Sequence, residues 1–112
     1  MSEPVEQVPA PGIPDAKITE YLLNVDHTDG GPKAHYFLAR GFTLDDPRPF
    51  IEALFHHGEK ETLVKTVRTD GATKYVHEGP LQTPDGVNPF IRSVWRVRDG
   101  DIWKLLVTAY KI

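Results

Sequence analysis

The stretch His27-Thr28-Asp29-Gly30-Gly31-Pro32-Lys33 places two cationic or potentially cationic side chains on either side of a glycine pair. Pro32 marks the first turn of a helix, and a helix N-terminus offers unpaired backbone N–H groups to an anion. Histidine is the residue type that exchanges protons near neutral pH, so His27 suits the role of acid or base beside a phosphate. The same residues also read as a polar connector whose glycines only make a turn. Further along, Arg92 and Arg96 fall on one face of a strand with Val94 between them, and a guanidinium fork there suits a phosphate. Arginines whose stems cover a solvated sheet face give the same pattern. Thr108 and Tyr110 could add hydroxyl donors, although a strand threonine is also a plain β-former.

Other chemistries lack residues. There is no cysteine, which removes thiolate ligands and nucleophiles. The five histidines show no ligand spacing, so neither a metal nor another cofactor is expected. No Gly-rich phosphate loop, nucleophile elbow or H-E-x-x-H is present. His56-His57 is expected to complement a helix dipole. Trp95 and Trp103 are expected to be core or sheet-covering residues rather than stacking platforms.

The elements that must position these groups follow from pattern and composition. Residues 1–14, MSEPVEQVPAPGIP, hold four prolines and no amphipathic period, and are expected to be a flexible leader to a single domain over 15–112. There is no signal-peptide pattern and no apolar run long enough to span a bilayer, so a cytoplasmic protein without membrane contact is expected. The net charge of −3 is carried by the first twenty residues, whereas the segment from Pro89 onward has Arg92, Arg96, Arg98, Lys104 and Lys111 against Asp99 and Asp101. That mildly basic C-terminal sheet could hold a phosphate, or be an ordinary solvated face.

Apolar spacing predicts helices over 15–23, 32–40 and 47–57, with Asp15 and Asp46 as caps, Gly41 and Gly58 as stops, and Phe50, Ile51, Leu54 and Phe55 on the third helix's buried face. After Gly58 the period changes to two. Strands are predicted over 62–69, 73–79, 90–98 and 102–110, joined by turns at Asp70-Gly71, Thr83-Pro84-Asp85-Gly86 and Asp99-Gly100. On the last strand, Leu105, Val107 and Ala109 are expected to oppose Leu106, Thr108 and Tyr110. The fold class is α+β: N-terminal helices packed on a four-stranded antiparallel β-meander.

The residues Lys17-Ile18-Thr19-Glu20-Tyr21-Leu22-Leu23-Asn24, His27, Gly30-Gly31, Lys33-Ala34, Phe37 and Gly41-Phe42 resemble the opening of a bacterial family known as a domain of unknown function. Tyr75, Glu78-Gly79-Pro80-Leu81, Thr83-Pro84-Asp85-Gly86, Arg92, Val94-Trp95 and Leu106-Val107-Thr108-Ala109-Tyr110 continue the resemblance, which covers about residues 13–110. His35-Tyr36 and Lys111 depart from the family's pattern. Such domains occur at the C-terminal end of large secreted toxins and as stand-alone proteins. Their element order is similar to that of barnase, colicin-type and related ribonuclease toxins.

The resemblance implies metal-independent cleavage of RNA by attack of its own 2′-hydroxyl on the adjacent phosphate. In that chemistry His27 would be acid or base, Lys33 and Arg92 would stabilise charge, and Thr108 would position the substrate. Lys17, Arg96 and Tyr110 would bind substrate around them. RNA and a small antitoxin or immunity protein would be the partners. The alternative is a non-catalytic protein-binding module of antitoxin, immunity or adaptor type, which the acidic balance favours.

Overall fold

The computed structural model of the protein describes residues 10–112. α1 (Asp15–Lys17) passes at once into a π-helical turn, Ile18–Leu22, and together they fill the span predicted for the first helix. Asp15 makes no side-chain cap there; Pro14 stands at the cap position. α2 (Gly31–Ala39) carries Pro32 in its first turn and stops before Gly41, whose φ of 106° is open to glycine. α3 (Arg48–His57) is tied at its start by Asp46, whose carboxylate accepts the Arg48 backbone N–H and grips its guanidinium. Phe50 and Leu54 of α3 are buried as the stripe predicts. Phe55 instead faces outward, and Ala53 and His57 face inward.

A short 3₁₀ turn, Lys60–Thr62, leads into the strands β2 (Leu63–Thr69), β3 (Ala72–Pro80), β4 (Phe90–Arg98) and β5 (Trp103–Lys111). These pair in sequence and antiparallel, because each turn is too short to do otherwise. One strand is added to the expected meander. β1 (Ala10–Gly12) lies parallel to β5, Ala10 opposite Trp103 and Gly12 opposite Leu105. The protein is therefore α+β with a five-stranded mixed sheet in the order β1-β5-β4-β3-β2, not a four-stranded antiparallel one. Positions 10–12 of the expected leader are strand, Ile13 packs against the core and Pro14 stands at the cap of α1, while 1–9 lie outside the described residues.

The helices cover one face of the sheet. Ile91, Trp95, Leu106 and Ala109 point into that layer and meet Ile18, Leu22, Phe37, Phe50 and Leu54. On β5 the expected alternation fails at one place. Val94 sits opposite Thr108 but Trp95 sits opposite Leu106, so Val107 is an extra residue, a β-bulge. The bulge resets the parity: Lys104, Leu106 and Ala109 all face inward, while Leu105 is exposed and Thr108 and Tyr110 lie on the open face. Neither of the two side-chain sets expected on this strand survives intact.

Four polar side chains are buried with the apolar ones: His57, His77, Ser93 and Lys104. Each has partners. Trp95 Nε1–H donates to Ser93 Oγ at 2.8 Å, and Ser93 lies 2.7 Å from His57 Nδ1. His57 Nε2 faces the carbonyls of Gly79 and Ile91 at 3.1 and 3.2 Å, so the ring is neutral with its proton on Nε2. Burial pushes the His57 pKa down. It therefore ties α3 to the sheet rather than complementing a helix dipole; only His56 remains exposed at that end. Lys104 is wholly buried, donating to Gly58 O at 2.6 Å and His77 Nε2 at 2.7 Å, with the Trp95 and Tyr75 rings 5.3 and 5.6 Å away. It cannot add to the positive surface expected of the C-terminal sheet.

Burial, then the adjacent Lys104 ammonium, lower the His77 pKa to about 4, and burial lowers that of Lys104 to about 8. A depressed base binds protons more readily in the unfolded chain, so stability falls as pH drops from 6.5 through 4, by up to about 3 kcal/mol for His77. Urea unfolding at pH 4.5 and 7 should show this loss, and His77→Gln should make the profile shallower. An unchanged midpoint across that interval would mean His77 is not held neutral against Lys104.

Candidate functional site

The π-helical turn sets the position of Tyr21. Its i→i+5 bond, Leu23 N–H to Ile18 O at 2.9 Å, widens the helix by one residue. Ile18 and Leu22 enter the core, and Tyr21 lies over the edge of the sheet, where its hydroxyl meets Thr108 Oγ1 at 2.9 Å. The loop that follows closes tightly on this ring. A Cβ on Gly30 would stand 2.5 Å from the Tyr21 ring and carbonyl oxygen, and one on Gly31 would stand 2.7 Å from Val25 O. The glycine pair permits close approach; Gly30 itself has an ordinary φ of −85°.

His27 packs edge-on against Tyr21, ring centroids 4.9 Å apart. Its Nδ1 accepts the backbone N–H groups of Asp29 and Gly30 at 3.0 and 2.9 Å. Those bonds occupy the Nδ1 lone pair, so the neutral ring carries its proton on Nε2, and protonation at Nδ1 would break both. The helix N-terminus expected to hold an anion is thus partly satisfied by His27 itself. The ring's remaining capacity is an Nε2–H donor. Lys17 and Lys33 approach the same tyrosine, Nζ 5.2 and 5.5 Å from its centroid. Lys33 also donates to Asp29 O at 3.2 Å.

Lys33 reaches a second ring, Tyr110, at 6.0 Å, and Arg92 lies 5.6 Å from that same ring. Arg92 donates to the Tyr110 hydroxyl at 3.1 Å and grips Glu78 through Nε at 2.8 Å and Nη2 at 2.7 Å. Strand register makes these contacts: Glu78, Arg92 and Tyr110 stand directly opposite one another across β3, β4 and β5. The Tyr110 hydroxyl and then the Glu78 carboxylate raise the Arg92 pKa further, so it stays charged.

Of the residues singled out in the sequence, His27, Lys17 and Thr108 line one open cleft of about 610 Å³ beside Tyr21. Glu20 and Asp29 share its rim. Arg92 and Tyr110 form an adjoining patch on the sheet, and Lys33 bridges the two by lying over Tyr21 on one side and Tyr110 on the other. Arg96 does not join them. It lies four residues, two pleat repeats, further along β4, opposite Lys74 and Leu105. Tyr21 and Glu78 also enter the cluster, Tyr21 without a signal of its own because its spacing reads as part of a core stripe. Glu78 was legible in one way: it and Arg92 are equally distant from Asp85 in the turn between their strands.

Among the described residues no three metal-ligating side chains cluster, and no helix is long and apolar enough to cross a membrane. The family described as "Domain of unknown function (DUF6883)" matches residues 5–112. No curated protein and no solved structure matches the chain.

Seating the loop on Tyr21 leaves no room for a methyl group. Gly30→Ala should cost about 1–3 kcal/mol in urea unfolding, the usual penalty of forcing backbone apart in a packed site. Wild-type stability in that variant would show that the loop does not need its contact with Tyr21.

Proposed function

The chain belongs to the DUF6883 family, whose function is unknown, and on the geometry of its site we propose that it is a metal-independent ribonuclease of the bacterial toxin type. One observation carries the reading: Lys33 stands over both Tyr21 and Tyr110. It thereby joins the His27–Thr108 cleft to the Arg92–Glu78 pair, groups from opposite ends of the sequence. A transesterification needs a base, a proton source and fixed positive charge within reach of one phosphate.

The chemistry follows from which atoms are free. Glu78 is a carboxylate beside a permanent cation and takes the proton of the 2′-hydroxyl. The 2′-oxygen bonds to phosphorus as the bond to the 5′-oxygen breaks, and the leaving oxygen takes a proton from the Lys33 ammonium. The products are a 2′,3′-cyclic phosphate and a 5′-hydroxyl. Arg92 faces the charge that builds on the phosphorane oxygens, and His27 donates a hydrogen bond from Nε2 rather than shuttling a proton. Thr108, Tyr110 and Lys17 position the strand. A cytoplasmic site of action and a small antitoxin or immunity partner that covers the cleft go with this reading.

A non-catalytic protein-binding module is the second reading. The carboxylates Glu20, Asp29 and Glu78, which offset the cations of the cluster, favour it.

Purified protein should cleave single-stranded RNA in the presence of a chelator. Arg92→Lys should lose about 10²-fold in rate with an unchanged melting temperature, because an ammonium lacks the planar fork that grips Glu78 and leaves further N–H groups aimed at a phosphate oxygen. Full activity in that variant, or activity restored only by added metal, would sink the mechanism. An inert wild-type protein would leave the binding module standing.

A further inference from the structure

The open face of the sheet continues beyond the cluster around Arg92, and its far end has a distinct composition. Lys104 turns inward, so Trp103 and Leu105 on either side of it turn outward, 53% and 44% exposed. Trp103 is therefore neither core nor sheet cover. Arg96, opposite Leu105 and Lys74, shares this face, as does Arg98 two residues along β4. Elsewhere on the surface, arginines are partnered: Arg40 with Asp85, Arg48 with Asp46, Arg68 with Asp99 and Arg92 with Glu78. Among the described residues Arg96, Arg98 and Lys74 have no carboxylate within ion-pair distance. The unpaired cations and the exposed indole fall on one patch.

We infer that Trp103, with Arg96, Arg98 and Lys74, forms a subsite for the unpaired stretch of a single-stranded RNA that runs from the Arg92 end along β4 and β5. The inference rests on the ribonuclease reading and extends it to the substrate's form. Arg92, Arg96 and Arg98 rise along one strand, the outer two about 20 Å apart, so a polyanion laid along β4 meets cations in succession. An indole lying open on a rigid strand takes the face of an unstacked base, which a duplex does not present. Leu105 supplies an apolar floor between the indole and Arg96. The inward anchor of Lys104 on Gly58 and His77 fixes the backbone that carries Trp103, so the platform is formed before substrate arrives.

The two tryptophans make the test direct, since Trp95 is wholly buried and only Trp103 can meet a ligand. The probe is a twelve-nucleotide, 2′-O-methylated single-stranded RNA (about four times the shortest strand the patch spans), which has no 2′-hydroxyl to attack. Titration of the intact protein should quench tryptophan emission in step with binding followed by anisotropy of a labelled strand. Trp103→Ala should weaken binding about tenfold, Trp103→Phe should keep most of it, and Arg96→Ala should lower the salt dependence by about one charge. A duplex of the same sequence should bind more weakly than the single strand.

If the wild-type protein cleaves ordinary RNA but the methylated strand binds Trp103→Ala as tightly as wild type, the subsite is wrong and the ribonuclease stands. If the methylated strand binds and quenches Trp103 while ordinary RNA is never cut, the subsite stands and the ribonuclease is wrong. Capture of a protein through Trp103 with no affinity for RNA overturns both.

Discussion

One extra residue decides what the sheet displays. Without Val107 as a bulge, a strand that buries Lys104 and Leu106 would carry Thr108 and Tyr110 to the helix side as well, into a layer filled by Phe37, Phe50 and Trp95. The bulge reverses the parity between Leu106 and Thr108. The hydroxyl residues then stand beside Arg92, and Ala109 takes the inward place. Thr108 can meet Tyr21, and Tyr110 can lie between Lys33 and Arg92, only on those terms. Bulges recur where a strand must re-aim a side chain toward a site.

The buried polar groups serve the same placement. Trp95, Ser93 and His57 form a chain from β4 to α3, and Lys104 fastens β5 to Gly58 at the end of α3. A buried ammonium is a poor source of net stability, since desolvation opposes its hydrogen bonds. Its effect is on register: with Lys104 held by Gly58 O and His77 Nε2, β5 cannot slide by one residue without turning Lys104 to the open face and leaving those two buried acceptors without a donor. The site thus rests on strands whose alignment is fixed from beneath, and the helical layer adds Lys17 of α1, Tyr21 of the π-helical turn, the His27 loop and Lys33 of α2. His27 caps the loop that leads into α2, where Lys33 stands within 6.0 Å of both the Tyr21 and the Tyr110 ring.

Periodicity carried most of the fold. Apolar spacing located all three helices and the four antiparallel strands to within about two residues, because each segment buries a single face and its pattern has only one solution. β1 was hidden because Ala-Pro-Gly has no strand signature and pairs only as a parallel edge beside β5. The bulge was hidden too, since a run of Leu-Leu-Val-Thr-Ala is apolar enough to alternate either way. Lys104 and His57 reverse the usual reading of charged and imidazole side chains, and only the packing of α3 against β3 and β5 reveals why. For the site, types and spacing pointed to His27, Lys33, Arg92, Thr108 and Tyr110, which the structure connects. They also pointed to Arg96, which belongs to a different part of the face. The Glu78–Arg92 pairing is a product of strand register, and its one trace in the sequence is their equal distance from Asp85 in the turn between β3 and β4.

Groups gathered by the bulge and the His27 loop are proposed to act together on one phosphate, with RNA's own 2′-hydroxyl as the nucleophile. Phosphorus NMR of a single-stranded RNA incubated with the intact protein and a chelator tests it most directly. The signal of a 2′,3′-cyclic phosphate should grow as the phosphodiester signal declines, and an all-deoxy strand should show no signal change. Direct release of a linear phosphate monoester, or equal cleavage of the deoxy strand, would contradict it.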